Sequence, residues 1–232
     1  MRIESDIRDI FREEELAPHL KGYVTESANG LGQIFHHPLN IHVMYSPAFN
    51  RMINLQVAAK TEALKKAEAA EDWHTYVFLH ERPYRIDILR EIMFDRWIQD
   101  PAIVWPLVTS VWVDSENIYQ SLDEWMEVWD ADIPHRHLAM DANDRAALEK
   151  MDDEIVVYRG IALSGSEYGM SWTTDRKRAV WFANRWEGGS RTPTLVRGRV
   201  KKANVLAYLS RRNESEIVAL PDDVKHQTMR VL

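Results

Sequence analysis

The sequence predicts an α+β fold, with a mainly helical N-terminal region over residues 1–150 and a small β-rich core over residues 151–232. Two observations carry this. Before residue 150 the chain is dominated by helix formers, as in NLQVAAKTEALKKAEAAEDW, with apolar residues at helical spacing. After Asp153 the texture changes to short β-branched runs, EIVVYRGI, TLVRGRVKK, NVLAYLS and SEIVAL, with HQTMRVL a fifth, separated by Gly, Pro or Asn. Helices first and strands later is the order of an α+β protein.

The elements follow in turn. Residues 5–16 read as a short charged helix, and 22–37 as loop with one short strand. A helical pattern runs over 47–70, and another from Trp73 to before Pro83. A third starts at Tyr84 and puts Ile88, Leu89, Ile92, Met93 and Trp97 on one buried face. Asp114 or Ser115 is placed to cap a helix carrying Leu122, Trp125, Met126 and Trp129, which Pro134 stops. A short helix over 141–151 completes the region. One helix interrupts the strands, DRKRAVWFANRW, with Thr174 or Asp175 as cap and Ala179, Phe182, Ala183 and Trp186 on one face. No Gly/Ser/Pro-rich linker lies between Ala142 and Asp153, and a core of about 80 residues is small to stand alone, so the helices are expected to pack on it.

Composition bounds the function. The 232 residues are 45% apolar and 28% charged, ordinary for a soluble globular chain. The absence of cysteine excludes disulfides, thiolate metal sites and cysteine nucleophiles. The charged start has no signal-peptide core, and no apolar run approaches the ~20 residues of a membrane span, so the reading is a cytoplasmic protein with no membrane partner. Net charge is −7 but uneven: residues 151–232 hold 14 Lys/Arg against 10 Asp/Glu, residues 1–150 hold 15 against 26. The basic C-terminal part suits an anionic ligand such as a dinucleotide; chance variation of surface charge is the other reading.

Three stretches carry candidate chemistry. In Val157-Tyr158-Arg159-Gly160 an arginine interrupts a run that reads as buried strand. Its guanidinium fork fits phosphate or carboxylate, and Gly160 admits a close approach to the backbone; an edge arginine facing water is the alternative. Gly169-Met170-Ser171-Trp172-Thr173-Thr174 leads into the core helix. Thr174 is the preferred cap, which leaves Ser171 unexplained, and Trp172 is either core or a stacking face. In Asn213-Glu214-Ser215-Glu216 two carboxylates two residues apart at a strand start share one face, either beside a positive group or on a solvated edge. His36-His37, His80-Glu81 and His135-Arg136-His137 lack metal-ligand spacing, so no metal is expected. Asp114-Ser115-Glu116-Asn117 reads as a helix start, and there is no phosphate-cradling loop or serine elbow.

In this order the three stretches resemble the arginine–serine–glutamate class of ADP-ribosyltransferases, through Arg159, Ser171-Trp172-Thr173 and Glu214-Ser215-Glu216. The core helix, with its Ala-X-X-Phe-Ala pattern, is similar too. The resemblance covers residues 153–220; residues 1–150 look like the helical part of compact, phage-type relatives. Eleven residues separate Arg159 from Ser171, fewer than in better-known members, and Trp172 stands where a small hydroxyl residue is usual.

The resemblance implies a split-sheet core that binds NAD as substrate. Arg159 would hold the pyrophosphate and the Gly160 backbone the nicotinamide amide. Ser171 would orient Glu216, and Trp172 or Phe182 would stack on the nicotinamide, with Thr173 alongside. Glu216 would act on the ribose and Glu214 on an arginine acceptor, with the turn at 209–213 contacting that acceptor. Arg159, Ser171 and Glu216 are then expected to line one cleft. The implied activity is mono-ADP-ribosyl transfer to a protein, in a host cytoplasm if the chain is phage-encoded. A nucleic-acid acceptor, NAD hydrolysis at the same site, and a non-catalytic module retaining the fold are the alternatives.

Overall fold

A hairpin whose turn carries two glycines stands near the start of the described residues. In the computed structural model the described residues are 14–28, 30–116, 118–161, 168–185, 192–210 and 214–231. Most of the helix expected over 5–16 lies outside them, and residues 14–16 carry no regular structure. Trp186, Asn117 and the turn residues Arg211, Arg212 and Asn213 also lie outside them.

The chain forms two compact units, Met1–Leu89 and Arg90–Leu232. In the first, strands β1 (Val24–Glu26), β2 (Gln33–His37) and β3 (Asn40–His42) make an antiparallel sheet in that order. Gly30 (φ 68°) and Gly32 (φ 122°) take the left-handed conformations that the β1–β2 turn needs. Phe35 at the sheet centre is fully buried with Leu16, Leu20, Leu39, Ile53 and Val57. Ile53 and Val57 come from one face of helix α1 (Asn50–Ala69). Three strands therefore stand where one short strand was expected, because a glycine turn and the paired His36-His37 hide the alternation. Helix α2 (Trp73–Leu79) is capped by Asp72, and α3 (Arg85–Arg90) follows.

After α3 the helix widens into a π turn over Glu91–Asp95. Ile92 and Met93 are buried as expected, but Trp97 is 71% exposed and left-handed (φ 57°). The extra residue in the π turn breaks the 3.6-residue register that had put Trp97 on the buried face.

The second unit joins helices α4 (Pro101–Asp114), α5 (Leu122–Trp129) and α6 (Ala142–Glu149) to the strands. The division thus falls after Leu89, not at residue 150. Helix α4 belongs to the second unit and is well buried in it, with Val104, Trp105, Leu107, Val108, Val111 and Trp112 inside and Ala102 and Pro106 exposed. Asp100 caps it through the Ala102 N–H and Pro101 takes its first turn, so Asp114 and Ser115 end this helix instead of capping the next. Trp105 stacks on Trp129 (6.1 Å), and Trp112 meets the edges of Trp125 (4.9 Å) and Trp129 (5.7 Å).

Six strands form one antiparallel sheet: β4 (Glu154–Ile161), β5 (Ser171–Thr173), β6 (Thr194–Lys201), β7 (Val205–Leu209), β8 (Glu216–Ala219) and β9 (Val224–Val231), in the order β7-β8-β5-β4-β6-β9. All five β-branched runs are strands. β4 pairs with β6 along its whole length, from Glu154↔Lys201 to Ile161↔Thr194. Its link to β5 is the single pair Tyr158↔Thr173. The sheet is therefore two three-stranded halves joined at one point. Helix α7 (Arg176–Asn184) packs on β4 with Ala179 and Ala183 buried. Its cap is Asp175, which accepts from Lys177 and Arg178; Thr174 instead donates its N–H to the Ser215 carbonyl.

Candidate functional site

The junction of the two half-sheets collects the residues singled out above. Glu216 opens β8 and pairs with Thr173, while Ser171 pairs with Val218, so Ser171 and Glu216 are diagonal neighbours on one face. The Ser171 hydroxyl donates to Glu216 Oε1 at 2.5 Å. A second donor reaches the same oxygen, the Trp112 indole Nε1 at 3.1 Å. Burial pushes the Glu216 carboxyl above its ordinary range and the nearby Glu214 charge adds to this, whereas both hydrogen bonds and the charge of Arg159 oppose it.

Arg159 reaches the site by an indirect route. Because Tyr158 pairs with Thr173, the pleat sends the Arg159 side chain to the face opposite Ser171 and Glu216. Of the three residues expected to line one cleft, Ser171 and Glu216 meet directly, and Arg159 leaves its strand on the other face. Arg159 still joins the group through its guanidinium: Nη1 donates to the Ser171 carbonyl at 2.6 Å, and its charge interacts with Glu216. A β-carbon on Gly169 would lie 2.6 Å from Nη2, so this glycine lets the guanidinium lie against the backbone. Burial lowers the Arg159 pKa to about 10, which leaves it cationic at neutral pH.

Gly160 serves a different partner from the one expected. A β-carbon there would lie 1.9 Å from the Ala179 carbonyl oxygen and 2.6 Å from the Ala183 nitrogen. The missing side chain admits helix α7, not a ligand. Trp172 is likewise corrected as a stacking face. It is 2% exposed, and its Nε1 donates to the Gly169 carbonyl at 2.9 Å. Alternation along β5 explains it, since Ser171 and Thr173 share one face and Trp172 takes the other.

Thr173 is buried and works on the backbone. Its hydroxyl donates to the Glu214 carbonyl at 2.6 Å and accepts from the Asp175 N–H at 3.0 Å. Glu214 lies before β8, and Ser215 between the two glutamates is left-handed (φ 45°). The period-two rule that put both carboxylates on one strand face does not hold across that residue. Glu214 Oε1 instead pairs with Arg178 Nη2 at 3.0 Å, and the Arg178 guanidinium covers the rings of Trp181 (4.7 Å) and Phe182 (5.3 Å). Phe182 thus has a guanidinium against its ring. Ser210, in the turn named as an acceptor contact, donates its N–H to the buried Asp144 at 3.0 Å.

Trp112, Gly169 and Arg178 are the site residues that sequence reasoning missed. Gly169 and Arg178 lay inside stretches already singled out; Trp112 gave no local signal. The histidines that invited a metal reading are otherwise engaged: His80 Nδ1 meets the Tyr76 carbonyl at 2.9 Å, and His36 Nδ1 the Tyr84 hydroxyl at 2.7 Å. Among the described residues no three His, Asp or Glu are grouped to hold a metal, and no helix is long and apolar enough to cross a membrane.

No protein-family model matches the chain, and no curated protein or solved structure is similar to it. The arrangement can still be judged as chemistry. A carboxylate is held by two aimed donors in a low-dielectric setting beside a permanent cation. A second carboxylate, Glu214, lies two residues before it and pairs with Arg178, whose guanidinium covers the exposed Trp181 ring.

Proposed function

We propose that this protein is a mono-ADP-ribosyltransferase that cleaves NAD at the nicotinamide–ribose bond and passes the ADP-ribose to an arginine of an acceptor protein. The observation that carries the reading is the Ser171–Glu216 hydrogen bond, with its hydroxyl and carboxylate on neighbouring strands where the two half-sheets meet. The half-sheets joined at Tyr158↔Thr173 also suit a split-sheet core of this class.

The chemistry asks for three things. The C–N bond breaks with its electron pair leaving on nicotinamide, so the ribose gains positive charge. Glu216, fixed by Ser171 and Trp112, opposes that charge where little solvent screens it. Arg159 supplies a cation for the pyrophosphate. A guanidine nitrogen of the acceptor then bonds the ribose carbon and gives its proton to Glu214. Of the two rings first assigned to the nicotinamide, Trp172 is buried in the core, which leaves Phe182.

Hydrolysis at the same site is the second reading, and one observation favours it: Arg178 already engages Glu214, so without an acceptor water is the available nucleophile. Incubation with NAD labelled in its adenylate, with and without a cell lysate, separates them. Label on protein that hydroxylamine releases supports arginine transfer. Label on nucleic acid redirects the acceptor, and label only in free ADP-ribose supports hydrolysis.

A further inference from the structure

The contact between Arg178 and Glu214 is more elaborate than a surface ion pair. Arg178 lies in the first turn of α7, and Trp181 and Phe182 follow at the i+3 and i+4 positions, where helix geometry puts them beside it. Its guanidinium lies over both rings while Nη2 meets the Glu214 carboxylate. Its buried Nε carries no hydrogen bond. Glu214 does not depend on Arg178 for its place, because the Thr173 hydroxyl holds its carbonyl and the Thr174 N–H holds that of Ser215.

We infer that Glu214, Trp181 and Phe182 form a seat for an alkylguanidinium ion, which the chain's own Arg178 fills and an incoming arginine side chain takes over. Its use for an acceptor rests on the transferase reading above; its binding chemistry does not. The seat favours guanidinium over ammonium, because a planar delocalised cation both stacks on rings and presents a fork to a carboxylate. It is open to an outside ligand: Trp181 is 49% exposed, and the paired side chains of Arg178 and Glu214 are 28% and 24% exposed. Ion pairs this exposed hold their partners by only about fivefold or less, so Arg178 is readily displaced. Among the described residues Arg185, 5.7 Å from the Trp181 ring, is a further cation at the seat, and its charge weakens binding of any outside cation.

The test uses N-ethylguanidinium on the full chain without NAD, read from the Trp181 indole resonance, which Trp181→Phe assigns. In Arg178→Ala the resonance should shift saturably, with affinity up to about fivefold above wild type, a gain set by removal of the internal competitor. Adding Glu214→Gln should abolish the shift, and ethylammonium should bind more weakly. Arg178→Gln, which keeps most of the stem, replaces Arg178→Ala if the latter does not fold. Equal binding in wild type and folded variant, no binding in the variant, or equal binding of ethylammonium overturns the seat. Since the probe is not NAD, a seat that binds ethylguanidinium in a protein that never cleaves NAD would sink the transferase reading alone.

Discussion

The indole of Trp112 donates a hydrogen bond to the carboxylate of Glu216 across 104 residues of chain. It ties helix α4, the most buried helix of the second unit, to the residue on which the proposed chemistry turns. The indole is itself held edge-on by Trp125 and Trp129. Helix α4 therefore helps to build the site.

Trp112→Phe keeps much of the packing and deletes the donor. A hydrogen bond to a charged group is worth about 1.5–3 kcal/mol, and its loss disfavours the ionised form of Glu216. The acid limb of any NAD-cleaving activity should move to higher pH, with the rate at neutral pH falling less than for loss of Glu216 itself. A pH–rate profile of the two proteins checks this.

Ser171→Ala removes the other donor to the same oxygen. NAD cleavage should fall roughly 10- to 100-fold, the range of one charge-assisted hydrogen bond. Ser171→Thr, which restores a hydroxyl, should recover part of the loss. Thermal unfolding should change little, since Ser171 is only partly buried and its carbonyl still receives Arg159.

Gly160→Ala tests the helix contact without touching an ionisable group. Its new carbon would fall 1.9 Å from a backbone oxygen of α7, which cannot rotate away. Overpacking of this kind costs about 1–3 kcal/mol or more, so a lower melting temperature is expected by differential scanning calorimetry. An unchanged melting temperature would mean that α7 is not seated as described.

Some of this was legible in the chain and some was not. The strands were, because EIVVYRGI and its fellows are β-branched runs bounded by turn residues, and their limits match the sheet closely. Ser171 and Glu216 stood out as polar residues at strand starts. Trp112 did not, because a tryptophan in an apolar helix looks like core and only long-range pairing aims its N–H. The two glutamates were read by strand alternation, which Ser215 breaks with a left-handed backbone that serine rarely adopts. Trp97 was misplaced by the π turn. The unit boundary at Leu89 was invisible because it falls inside the helix Arg85–Arg90, where no turn residue marks it.

Glu216 also bears on stability. Its pKa in the folded protein is raised above the unfolded value, so the folded state prefers it protonated. Its contribution is fully present below the ordinary glutamate range and is lost as pH rises through the higher folded pKa. Glu216→Gln should therefore be more stable than wild type at neutral pH, and the difference should vanish at low pH. Urea denaturation at a series of pH values measures it, and a variant less stable than wild type at neutral pH would show that the ionised carboxylate supports the fold.

The central claim is that Glu216 acts on NAD and Glu214 on the acceptor, and nicotinamide release from NAD labelled in that ring tests it most directly. Wild type should release label, and Glu216→Gln should do so about 100- to 1,000-fold more slowly, the usual cost of one lost electrostatic stabiliser. Glu214→Ala should keep most of the release in buffer while losing transfer to an arginine analogue such as agmatine. Equal release by wild type and Glu216→Gln, or no release by wild type even with agmatine present, would contradict the account.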